Sequence, residues 1–110
     1  MLREIKGTQR LPRALALRVD GTGTASILEG AFDATLVDNG TGDYTLTFAK
    51  PFARVPVAIA CSLAADIVCY VHAVSASAVT IKARSVAASP AAADVDFHLL
   101  VLGSDAVDQT

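Results

Sequence analysis

The chain has no tryptophan, 5% aromatic residues, two cysteines and two histidines among its 110 residues. These shortages remove whole classes of chemistry. A zinc centre needs three or four converging nitrogen, sulfur or oxygen ligands. His72 and His98 stand apart in separate apolar stretches, and Cys61 and Cys69 lack the spacing of a metal motif. No metal and no other cofactor is expected. Charged residues make up only 18% of the chain, against about a quarter in ordinary domains, so the surface is bland. No run approaches the roughly 20 apolar residues of a membrane-spanning helix. The opening Met1–Glu4 is polar, and the apolar stretch Leu11–Leu17 is interrupted by Pro12 and Arg13. No secretory signal and no membrane partner are therefore expected.

The hydrophobic fraction is 53%, much of it alanine. Alanine buries little area per residue, so the core is expected to be thin and aliphatic, with some stability supplied by contacts between subunits. The length fits one domain. Charge is unevenly distributed. Residues 1–20 hold Arg3, Lys6, Arg10, Arg13 and Arg18 against Glu4 and Asp20, while the remainder holds four basic and nine acidic residues. Residues 1–13 read as a basic arm, 14–104 as the folded domain and 105–110 as a polar tail. Such an arm could dock on an acidic neighbour, or simply be solvated.

Glycine and Asx clusters divide the sequence into short strands. Leu15, Leu17 and Val19 alternate with Ala16 and Arg18, and Asp20–Gly23 turns the chain into a weaker strand over Thr24–Glu29. Phe32, Ala34 and Leu36 alternate with Asp33 and Thr35. The cluster Asp38-Asn39-Gly40-Thr41-Gly42 supplies the positive φ angles of a hairpin turn, and Tyr44, Leu46 and Phe48 return from it. Val55, Val57, Ile59, Cys61 and Leu63 alternate with Pro56, Ala58, Ala60 and Ser62. Because Pro56 has no N–H, that strand belongs at an edge or begins there. Ile67–Val74 and Val95–Leu102 are apolar on both faces, whereas Val79, Ile81 and Ala83 alternate with Thr80, Lys82 and Arg84. Ala87–Ala93 contains Ser89-Pro90 and reads as a loop. The expected fold is all-β: a single-domain antiparallel β-sandwich or jelly roll of about eight strands.

The search for chemistry is negative. No serine lies in a G-x-S-x-G setting, and no nucleophile stands beside an oriented base. The two glycine clusters lie between strands, so they are hairpin turns rather than phosphate loops. Asp94 and Asp96 share a strand face, which suits acid–base work or, with Asp105, calcium. A calcium site needs more oxygen ligands than this, so a solvated strand edge is the simpler reading. An acidic body without aromatics interleaved among basic residues argues against a nucleic-acid partner. If Ala64–Asp66 were a hairpin, Cys61 would face Cys69. Two buried thiols and a disulfide both stay open.

The segment Gly42-Asp43-Tyr44-Thr45-Leu46-Thr47-Phe48, then Pro51-Phe52, then Val55-Pro56-Val57-Ala58-Ile59-Ala60, resembles a strand–turn–strand pattern of small β-sandwich modules in bacteriophage virion proteins. Asp96-Phe97-His98-Leu99-Leu100-Val101-Leu102-Gly103-Ser104-Asp105 is similar to the final strand of such modules. The resemblance covers about half of the chain. It implies a non-enzymatic structural protein of the virion, assembled in the host cytoplasm. A single domain opening on Met points to a capsid decoration (cement) protein bound to the major capsid protein, as a homotrimer. The alternative is a receptor- or glycan-binding module of a tail fibre or spike. On the decoration reading, Arg3, Lys6, Arg10 and Arg13 contact the shell, and Tyr70, His72, Leu100 and Leu102 belong to protein interfaces.

Overall fold

The computed structural model describes residues 7–30, 33–87 and 90–109, the backbone alone for 7–11 and 106–109. The described residues form eight strands: β1 (Gly7–Asp20), β2 (Ser26–Glu29), β3 (Ala34–Gly40), β4 (Asp43–Phe48), β5 (Val57–Ser62), β6 (Ile67–Val74), β7 (Ala78–Ser85) and β8 (Phe97–Gln109). They make two four-stranded sheets, sheet A in the order β2-β1-β8-β5 and sheet B in the order β3-β4-β7-β6. Every pairing is antiparallel. The all-β sandwich read from the sequence is the fold of the protein.

Strand alternation builds the core. In each sheet the two central strands turn one side-chain parity inward. Leu15, Leu17 and Val19 of β1 and Phe97, Leu99 and Val101 of β8 meet Tyr44, Leu46 and Phe48 of β4 and Val79, Ile81 and Ala83 of β7. The core is not purely aliphatic. Four aromatics lie in it, with Tyr44 5.2 Å from Phe97 and Phe48 edge-on to Phe52 at 5.0 Å. Gly42 closes the β3–β4 turn at a φ of 62°, and a Cβ there would lie 2.5 Å from the Ala83 carbonyl oxygen. Only glycine fits both the dihedral and the space.

β1 and β8 run far past their neighbours. Their register continues from Val19↔Phe97 to Gly7↔Gln109, whereas β5 stops at Val57↔Leu102 and β2 pairs only with Arg18–Asp20. The outer halves thus form a two-stranded ribbon roughly 20 Å long. The molecule measures 59 × 24 × 21 Å and has a radius of gyration of 16.4 Å, against about 13 Å for an ordinary domain of this size. From Gly7 onward the basic arm is the first half of β1, and the polar tail to Gln109 is the second half of β8.

Candidate assembly surface

The outward parity of sheet A forms an apolar face. Val57 of β5 is in register with Leu102 of β8 and Ala14 of β1, and Ile59 with Leu100 and Ala16. A third row runs Cys61, His98, Arg18 and Glu29 across all four strands. Val57 is 60% exposed, Ile59 55%, Leu102 43% and Leu100 37%. Val55 and Leu63 carry the same alternation past either end of β5, and both are exposed. From these fractions the patch amounts to roughly 600 Å² of apolar surface, as large as the largest patches on typical monomers. A shallow groove of about 450 Å³ crosses it between Ala16, Arg18, Ile59, Cys61, His98 and Leu100.

The outward face of sheet B is of a different kind. Thr45 and Thr80 meet across β4 and β7 with their hydroxyls 3.5 Å apart, and Lys82 approaches Asp43 at 3.9 Å. Asn39 donates to Thr45 Oγ1 at 2.7 Å. Among the described residues Val37 and Val68 are the exposed large aliphatics of its strands, and exposed Val86 follows β7 on the same parity. One broad face of the sandwich is wet and the other dry.

The interface residues expected from the sequence divide between these faces. Leu100 and Leu102 lie on the dry face. Tyr70 is half-buried on the wet face opposite Lys82, and His72 beside it is the extra residue of a bulge in β6. Their rings meet edge-on with centroids 6.5 Å apart. Arg3 and Lys6 lie outside the described residues. Arg10 stands in β1 opposite Ala106. Arg13 is engaged within the chain, its side chain only 11% exposed. It donates to the Lys50 carbonyl at 2.7 Å, Asp105 Oδ1 at 3.2 Å and Asp33 Oδ2 at 3.3 Å, and it stacks on Phe52.

β5 departs from the usual alternation. The large residues Val57, Ile59 and Cys61 face out, while Ala58 and Ala60 face the core. Sequence reasoning missed Val57 and Ile59 as surface residues. The available signal was that neither parity is polar from Val55 to Cys61, which means that both faces are dry. Nor do β5 and β6 form a hairpin. The chain crosses from sheet A to sheet B between Ser62 and Ile67, so Cys61 and Cys69 do not face each other as ladder partners. Both are free thiols, Cys61 exposed and Cys69 buried, and burial pushes the Cys69 thiol up to about 12.

Asp94 and Asp96 are clamps rather than a solvated edge. They precede β8, and each accepts a turn N–H, Asp94 from Gly42 at 2.9 Å and Asp96 from Gly21 at 3.2 Å. Between them lies the buried Tyr44 hydroxyl, 3.0 Å from the Gly21 carbonyl and 3.1 Å from Asp94, accepting the Val95 N–H at 3.4 Å. Burial first, then the Asp94 charge, raises its pKa above the ordinary tyrosine value. No group of three or more His, Cys, Asp or Glu side chains among the described residues is placed to hold a metal.

No family model, no curated protein and no solved structure matches the chain.

Proposed function

We propose that the chain is a non-catalytic assembly module, and specifically a decoration protein that cements the outer shell of a bacteriophage capsid through the dry face of sheet A. The contrast between the two outer faces carries this reading. A sheet face of Val57, Ile59, Leu100 and Leu102 left in water gains free energy when a partner covers it. The partner on this reading is the major capsid protein, and many copies per shell add small contacts into firm binding. The resemblance of the Gly42–Ala60 and Asp96–Asp105 segments to virion sandwiches supports the choice of partner.

The test is co-sedimentation with emptied heads of the phage that encodes the chain. The wild-type protein should saturate the shells at a fixed stoichiometry, and the double variant L100D/L102D should stay in the supernatant while remaining folded. Absence of wild-type binding, or binding untouched by the double variant, would overturn the reading. A second reading, a glycan-binding module of a tail fibre, rests on Tyr70 and His72. It predicts retention on host surface glycans that is lost in Y70A.

A further inference from the structure

Four strands end the two sheets: β2 and β5 in sheet A, β3 and β6 in sheet B. Such strands present unpaired N–H and C=O groups that can template another chain, and proteins commonly blunt them with bulges, charges or brevity. Three of the four are blunted. β2 has only four residues and an extra residue, Leu28, against β1. β3 carries Asn39 as an extra residue beside the charged Asp38. β6 carries His72. β5 alone is regular: its pairing with β8 runs from Val57↔Leu102 to Ser62↔Phe97 without a shift, and Val57–Ser62 contains no charge.

The orientation of its backbone groups can be read from one bond. The Leu63 N–H donates to the Asp96 carbonyl at 3.0 Å, and Leu63 continues the β5 register against β8. Donor direction repeats every second residue in an antiparallel ladder. Val57, Ile59 and Cys61 therefore bond toward β8, and Ala58, Ala60 and Ser62 turn their N–H and C=O outward. Ala58 and Ala60 point their side chains inward and are half-buried, with β6 packed alongside β5 at the corner of the sandwich, and among the described residues no strand hydrogen-bonds to this edge.

We infer that the β5 edge pairs with the β5 edge of a second copy, antiparallel about a two-fold axis at Ala60, joining the two A sheets into one. This register makes Ala60 oppose Ala60 and Ala58 oppose Ser62 of the other copy, so every outward N–H meets an outward C=O. A register centred on Ala58 would set Ala60 against Pro56, which has no N–H to give. One centred on Ser62 would set Ala60 against Ala64, whose N–H is already taken by the Ser62 hydroxyl at 3.0 Å. On the outer face the Ala60 register places Ile59 beside Cys61 of the other copy, and Val57 beside Leu63. Charge agrees at both ends. Exposed Arg54 and exposed Asp66 flank β5 on opposite sides, so antiparallel pairing brings the Arg54 of each copy to the end where the other presents Asp66. The joined sheet also doubles the dry face, and the inference holds whether or not a phage shell covers that face. Self-pairing of one antiparallel edge is isologous and closes at two copies. It therefore replaces the homotrimer that the virion resemblance implies.

The experiment is light scattering over a dilution series, combined with three edits of the edge. Wild type should be a dimer. A60P removes an outward donor and leaves the bonds to β8 intact, and it should be monomeric with unchanged circular dichroism. R54D and D66R should each raise the dimer Kd by about tenfold, and R54D/D66R should restore it. I59C should oxidise to a covalent dimer, because directly opposed residues at non-hydrogen-bonded positions lie within disulfide reach. Should A60P fail to fold, the charge exchange and the I59C cross-link decide. A monomer at high concentration, a trimer, or a dimer that ignores the charge exchange and does not cross-link through I59C would overturn the inference. None of these readouts depends on shell binding.

Discussion

The Arg13 guanidinium stacks over the Phe52 ring at 4.3 Å from its centroid while donating to Lys50, Asp105 and Asp33. One side chain thus ties β1 to β8, to the β2–β3 connection and to the segment after β4. It sits where the β1–β8 ribbon leaves the sandwich, and an isolated two-stranded ribbon is marginal in water. R13A should cost about 1–3 kcal/mol by chemical denaturation, from lost charged hydrogen bonds and stacking. Amide exchange should accelerate in Gly7–Arg13 and Gly103–Gln109 more than in β4 or β7.

The Tyr44 hydroxyl offers a second measurable dependence. Y44F should lose about 1–3 kcal/mol, because the Gly21 carbonyl and the Val95 N–H lose a buried partner.

Alkaline pH should weaken the fold. Tyr44 and Cys69 both have pKa values raised by burial. In the unfolded chain they ionise near their ordinary values, about 10 and about 8.5, while the folded chain holds both protons. The unfolded state then binds fewer protons, so stability falls as pH rises from about 9 toward 12. Unfolding midpoints measured across that range should drop, and Y44F/C69A should show a flatter profile.

Neighbouring leucines in β8 should respond oppositely to substitution. L99A removes a buried side chain and should cost about 2–5 kcal/mol. L100D replaces an exposed one and should change stability by about 0.5 kcal/mol or less, while reducing binding of an apolar dye to the dry face.

Thiol titration should separate the cysteines. The native protein should react with one equivalent of an aromatic disulfide reagent, at Cys61, and with two in denaturant once Cys69 is exposed.

The fold was legible wherever one strand face is wet. Threonines alternating with Tyr44, Leu46 and Phe48, and Lys82 and Arg84 alternating with Ile81 and Ala83, leave one choice of inward parity. The turn at Asn39–Gly42 fixed the intervening hairpin. Legibility failed at β5, where alternation of large with small apolar residues does not say which parity is inside. An edge position accepts alanine inward, and the larger residues then remain at the surface. The Cys61–Cys69 register failed for a topological reason, since a short connection reads alike whether it turns within a sheet or crosses between two. Arg13 was legible as a cation but not as a clamp, because its partners Asp33, Lys50 and Asp105 are remote in sequence. Of the candidate surface, Leu100 and Leu102 were found from the sequence. The contrast between the two broad faces became visible only once the strands were assigned to sheets.

The adjacency of Gly7 and Gln109 at the tip of the ribbon sets how the molecule answers mechanical force. Tension applied through these two points loads the β1–β8 ladder one rung at a time, from that pair inward, so the bonds yield in succession at low force. Tension applied between the ribbon tip and the far end of the sandwich runs along the strands and loads many rungs together. The same domain should therefore open readily when Gly7 and Gln109 are drawn apart and resist when it is stretched lengthwise.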